Sequence, residues 1–167
     1  MNKTTFGYSK YAILLFFCMS SLFAIPQTKQ LISPELTTKL IETIKDDAII
    51  LGSGGKEIHI FIDPLCKMSQ RYLKLLYKRN NAIFSEYTVY LYLNELKAKK
   101  SKKHILNIIH SESKEKMLCD IMLGNQSTIL QKIRNKETEK IFQKISTVAK
   151  RIGVYKRPYI IINGKAK

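Results

Sequence analysis

The chain has 167 residues and a formal net charge of +16. That length suffices for one domain with its own hydrophobic core, and three cysteines are too few for a disulfide-stapled scaffold. The excess of Lys and Arg can attract nucleic acid, anionic lipid or acidic proteins, and no serine triad, phosphate-binding glycine loop or paired carboxylates accompany it.

Residues 1–24 read as a secretory signal peptide. Lys3 and Lys10 give a positive start. Tyr11 to Phe23 is apolar but too short and wrongly flanked to span a membrane. Ala24 offers a small residue for cleavage. Phe17 precedes Cys18 where a lipoprotein signal needs a small residue. The competing reading is an uncleaved anchor in the inner membrane. Export implies an oxidising compartment, a bacterial periplasm, where nucleic acid is not an expected partner. Cys66 and Cys119 are then the cysteines of the mature chain.

Residues 25–47 form an N-terminal helical segment. Ser33-Pro34-Glu35 is a helix start: a capping serine, proline at the first position and an early acid. Leu36, Leu40, Ile41 and Ile44 share one face. Ala48 to Leu51 is a short strand, Gly52 to Gly55 a turn, and Glu57 to Asp63 a strand buried on both faces. Asp63-Pro64 opens a turn, and Cys66 follows at the head of a helix over Gln70 to Arg79. Unpaired backbone N–H groups and the helix dipole stabilise negative charge there. The thiolate is the reactive form of cysteine, so the position favours a nucleophile. Asn80-Asn81 stops the helix, and Tyr87 to Leu93, β-branched and aromatic, is the next strand. Strand, helix, strand at this spacing implies a parallel βαβ unit.

Lys97 to Gly153 is almost wholly helical, with Gly124-Asn125 as its clearest break and Gly153 closing the last helix. Lys97, Lys99, Lys100, Lys102 and Lys103 form the densest basic run, read as a solvated helix face. Pro158 to Ile162 is a strand, and Asn163-Gly164 a hairpin turn. His59, His104 and His110 lack zinc spacing relative to the cysteines, and no metal or other cofactor is expected.

Two segments carry a family resemblance. Ile58 to Ser69, IHIFIDPLCKMS, resembles the strand and active-site segment of bacterial periplasmic thiol:disulfide interchange proteins of the disulfide-isomerase type. Gly153 to Lys165, GVYKRPYIIINGK, resembles the cis-proline segment of that family. The resemblance implies an α/β, thioredoxin-like fold over residues 48–167 with a helical insertion at about 97–152. It implies Cys66 as the attacking thiol and Pro158 as a cis-proline that holds substrate backbone beside the sulfur, preceded by Arg157 where the family has a threonine or small residue. The family's second active-site cysteine is here Ser69, whose hydroxyl could bond the Cys66 thiolate. Lys67-Met68 replaces the usual middle pair. Cys119 is a candidate second thiol. The family fold continues with a strand and a helix after the Asn-Gly turn, more than Lys165 to Lys167 can supply. The strand around Ile160 is thus expected to carry an apolar edge covered by a partner, a second copy or the N-terminal segment.

The expected function is exchange with exported, cysteine-containing client proteins, isomerase-like or monothiol, with Cys66 as sole nucleophile. A redox-inactive binding or chaperone module of the cell envelope is the alternative.

Overall fold

A computed structural model describes residues 32–124 and 130–167. The expected signal peptide and Asn125 lie outside the described residues. Five strands form one sheet in the order β1-β3-β2-β4-β5: β1 Ile49–Leu51, β2 Lys56–Ile62, β3 Tyr87–Leu93, β4 Tyr159–Ile162 and β5 Lys165–Ala166. The expected parallel unit is present, since β2 and β3 run parallel. Between them lie α2 (Lys67–Lys78) and α3 (Asn80–Glu86). The remaining helices are α1 (Pro34–Glu42), α4 (Lys102–His110), α5 (Lys114–Met122) and α6 (Lys136–Ile152).

Strand alternation divides the interior in two. Ile58, Ile60 and Ile62 of β2 and Val89, Leu91 and Leu93 of β3 enter one core with Leu73 and Leu76 of α2 and the apolar faces of α4 and α5. Phe61, Tyr92, Tyr159 and Ile161 enter the other, under α1 and α6. Both faces of the central strands are therefore covered. That explains why β2 from Ile58 to Ile62 is apolar on both faces apart from His59.

The helix ends follow their local chemistry. Ser33 Oγ accepts from Leu36 N–H at 3.3 Å, and Asn135 Oδ1 accepts from Thr138 N–H at 2.9 Å. Gly153, at φ +81°, closes α6.

Several boundaries differ from the sequence reading. The helix expected from Gln70 begins at Lys67, because Cys66 already accepts from Gln70 N–H at 3.0 Å. Asn80-Asn81 does not end helical structure: the chain bends at Arg79 and α3 follows at once. Gly52 to Gly55 links β1 to β2 without pairing them, because β1 pairs antiparallel with β3. Among the described residues, the stretch read as almost wholly helical holds a 3-10 turn at Lys97–Lys99 and the separate helices α4, α5 and α6, with a further break at Ser111–Ser113 and irregular chain over 130–135.

The edge of β4 is also not bare. The hairpin turn sets Asn163 at φ +52° and Gly164 at φ +70°, the two positive values a two-residue primed turn needs. Ile161 then pairs with Ala166 and Ile162 with Lys165, and Lys167 N–H donates to Ile160 O at 2.9 Å. Residues 165–167 thus pair along β4, on the edge for which the sequence reading expected a partner, a second copy or the N-terminal segment.

Candidate functional site

The site forms where β2 ends and β4 begins. These strands are antiparallel, with Phe61 opposite Tyr159, and continuing that register sets Asp63 opposite Arg157. Cys66, three residues past Asp63, is the N-cap of α2. Its N–H donates to Asp63 O at 3.0 Å, closing the turn that Pro64 shapes. Its Sγ–H donates to Arg157 O at 3.8 Å. The Arg157–Pro158 peptide bond is cis. Residues far apart in sequence are thus joined by strand register, with the sulfur beside the backbone of the proline segment. Cys66 is 8% exposed, and its exposed neighbours in sequence are Lys67 and Met68.

Ser69, which the resemblance sets where a second cysteine was expected, bonds elsewhere. It is fully buried, and Asp63 N–H donates to its Oγ at 3.3 Å. Among the described residues no hydrogen bond joins it to the Cys66 sulfur. Ser69 fastens the helix to the strand that precedes it.

Arg157 is also inward-facing. Its Nε donates to Asn94 O at 3.1 Å and Nη1 to Lys156 O at 2.8 Å. Burial lowers the guanidinium pKa to about 10, against the opposing pull of Asp63 and Cys66. The side chain is committed to backbone carbonyls, and the carbonyl of Arg157 is the group that meets the sulfur.

Asp63, which the sequence left without a role, organises the site. It is fully buried. Oδ1 accepts from Leu65 N–H at 2.8 Å, and Oδ2 accepts from Leu96 N–H at 2.6 Å and Ser101 Oγ–H at 2.8 Å. One carboxylate ties the loop before Cys66 to the chain leaving β3 and the start of α4. Asn94, whose carbonyl receives Arg157, is held by Ile62 through Asn94 N–H to O at 2.9 Å. An Asp-Pro pair at a strand end was the sequence signal for this knot; Asn94 and Ser101 carried none.

Cys119 does not join the site. Both cysteines are free thiols. Cys66 opens α2, whereas Cys119 packs against Tyr77 in its last turn. At a rise of about 1.5 Å per residue, about 16 Å of helix separates those turns, and a disulfide needs Cα atoms within about 7 Å. Burial, then Glu115 and Asp120, raise the Cys119 thiol pKa, against a hydrogen bond from Tyr77. It rests as a protonated thiol at neutral pH.

The histidines lie apart from the sulfur's contacts. His59 stacks on Tyr90 with ring centroids 5.0 Å apart, and its Nδ1 lies 3.1 Å from Tyr92 Oη. His110 Nδ1 lies 3.3 Å from Thr138 Oγ1. Tyr90 and Tyr92 therefore pack about His59 rather than line an open groove. Among the described residues, no cluster of three His, Cys, Asp or Glu side chains is arranged to hold a metal ion.

No family model matches the sequence, and no curated protein sequence matches it. Solved structures do match. ScsC from Proteus mirabilis in a compact conformation superposes with TM-score 0.65 at 15% identity, covering 95% of this chain and 83% of that one. A structure described as a putative protein-disulfide isomerase from Pseudomonas syringae superposes with TM-score 0.57 at 18% identity, covering 74% and 90%. BdbD from Bacillus subtilis superposes with TM-score 0.58 at 12% identity, covering 73% and 84%. Identities this low speak to the fold. Sheet order, parallel β2–β3 unit and helical segment before β4 together make this a thioredoxin-like α/β fold.

Proposed function

We propose that this chain is an exported thiol–disulfide exchange protein, isomerase-like, whose sole active-site nucleophile is Cys66. The observation that carries this reading is the Cys66 sulfur at the head of α2, 3.8 Å from the carbonyl of the cis Arg157–Pro158 pair. Structural neighbours described as a protein-disulfide isomerase and a disulfide interchange protein support it, as does the leader-like N-terminus. No described helix is long and apolar enough to cross a membrane.

The chemistry balances without an external oxidant or reductant. The Cys66 thiolate attacks one sulfur of a client disulfide. A new S–S bond joins enzyme and client, the client's S–S bond breaks, and the second client sulfur leaves as thiolate. Ser69 has no sulfur to expel the client. A client thiolate therefore attacks the client sulfur of the mixed disulfide, releasing Cys66 and leaving the client with a rearranged bond. The net electron count is unchanged, so isomerisation is the reaction a lone thiol completes by itself.

The test is reactivation of a protein with scrambled disulfides. The native chain speeds recovery of client activity, Cys66→Ser abolishes the effect, and a mixed disulfide with the client is isolated on Cys66 after acid quenching. Equal recovery with and without the Cys66 sulfur overturns the proposal. The low exposure of Cys66 and the commitment of Ser69 to Asp63 favour the second reading, a binding or chaperone module. That reading gains if Cys66→Ser suppresses client aggregation as well as the native chain does while neither reactivates the client.

A further inference from the structure

Lys67, Arg71 and Lys74 of α2 recur at the spacing of one helical face. All three are exposed. With Gln70 they line an open groove of about 490 Å³, whose other wall is Met122 and Leu123 at the end of α5. The row begins at the residue after Cys66. Gln70 Nε2 donates to Pro64 O at 2.8 Å, which fixes the groove to the loop that presents the sulfur.

These cations sit where helix electrostatics favours anions. The positive end of the dipole is at Lys67, and the first turn of α2 holds no acidic residue. Like charges one turn apart repel. Lys45, Lys56, Lys102, Lys116 and Lys144 each meet a carboxylate at 2.6–2.8 Å, whereas other lysines, Lys39, Lys103 and Lys150 among them, join no ion pair among the described residues. Among the described residues, no ion pair involves Lys67, Arg71 or Lys74, and no acid lines their groove. Solvent screens these exposed cations, and an anionic ligand in the groove would add direct compensation beside the sulfur.

We propose that this groove takes an acidic segment of the polypeptide whose sulfur Cys66 attacks, so that disulfides flanked by Asp or Glu are the preferred substrates. The proposal rests on the thiol-exchange reading above. The carboxylates of the segment meet Lys67, Arg71 and Lys74, and its aliphatic stems lie on Leu123, which is exposed. Cys66 attacks the client sulfur as before, and the groove changes only which client is held in place.

The test uses short peptides with one cysteine held as a mixed disulfide with thionitrobenzoate, flanked by Glu, Gln or Lys. Release of thionitrobenzoate is followed by absorbance in the Cys119→Ala chain, with Cys66→Ser as background. The Glu peptide reacts faster than the Gln peptide by about tenfold at low ionic strength, and the Lys peptide more slowly still. The preference collapses in Arg71→Gln/Lys74→Gln and in high salt. It survives in Lys136→Gln/Lys140→Gln, which removes the same net charge from α6. Equal rates for the three peptides overturn the groove as a docking site, as does a preference lost equally in both double variants, which assigns it to overall charge. Absence of release above the Cys66→Ser background for every peptide overturns the exchange reading instead.

Discussion

Asp63 accepts hydrogen bonds from Leu65, Leu96 and Ser101, three segments that meet at the carboxyl ends of β2 and β3. Removing a buried acceptor leaves each donor without its partner, at about 1–3 kcal/mol per group. Asp63→Ala is expected to lower the unfolding free energy by roughly 3 kcal/mol, measured by urea denaturation, and to weaken exchange by loosening the Cys66 loop. Asp63→Asn keeps one acceptor oxygen but turns an NH2 donor toward a backbone N–H, so it is expected to retain only part of the network and still to lower the urea midpoint. His59 offers a test with pH. Burial lowers its pKa from 6.5, only partly offset by Glu57. Its unfolded form thus binds a proton at higher pH than its folded form. Stability is complete above the unfolded pKa and falls as pH drops below about 6.5. Comparing urea midpoints at about pH 7.5 and about pH 5.5 for the native chain and His59→Gln isolates this contribution as a smaller decline in the variant.

At the scale of elements, the β4–β5 hairpin depends on a two-residue turn packed on α1. Gly164 has φ +70°, and a Cβ there would collide with Pro34 O and the Thr38 hydroxyl. Gly164→Ala is expected to cost upwards of about 1 kcal/mol, read as a lower urea midpoint, and to increase amide exchange at Lys167, whose N–H pairs with Ile160. Helix α2 shows the opposite balance. Its buried face holds Ser69, Leu73 and Leu76, while its exposed face carries cations with no ion-pair partner among the described residues, beginning next to Cys66. An element that breaks a local rule beside the proposed nucleophile is where function is expected to account for the cost.

For the whole molecule, stability comes from two cores separated by one sheet. Ile60 faces the first and Phe61 the second, and neither is exposed. Ile60→Ala is expected to lower unfolding free energy by about 2–5 kcal/mol. Because the sheet belongs to both cores, unfolding followed by tyrosine fluorescence and by circular dichroism should shift together; separate transitions would show that the two faces unfold independently. The strong positive charge opposes compaction, so moderate salt is expected to raise the urea midpoint.

What the sequence determined by itself was local or periodic. The mostly apolar run of β2, the β-branched and aromatic run of β3, the glycine that closes α6 and the Asn-Gly turn each encode their own geometry within a few residues. Two short motifs in the right order were enough to indicate the fold and to select Cys66, Ser69, Arg157 and Pro158 as candidates. Only the tertiary structure decided pairings and partners. It set β1 against β3, returned residues 165–167 to cover β4, turned Arg157 and Ser69 inward, and placed Cys119 at the far end of α2 from Cys66. The reason is physical: register and burial depend on which distant surfaces meet, and a side chain chooses its hydrogen-bond partner after the backbone has brought the alternatives within reach.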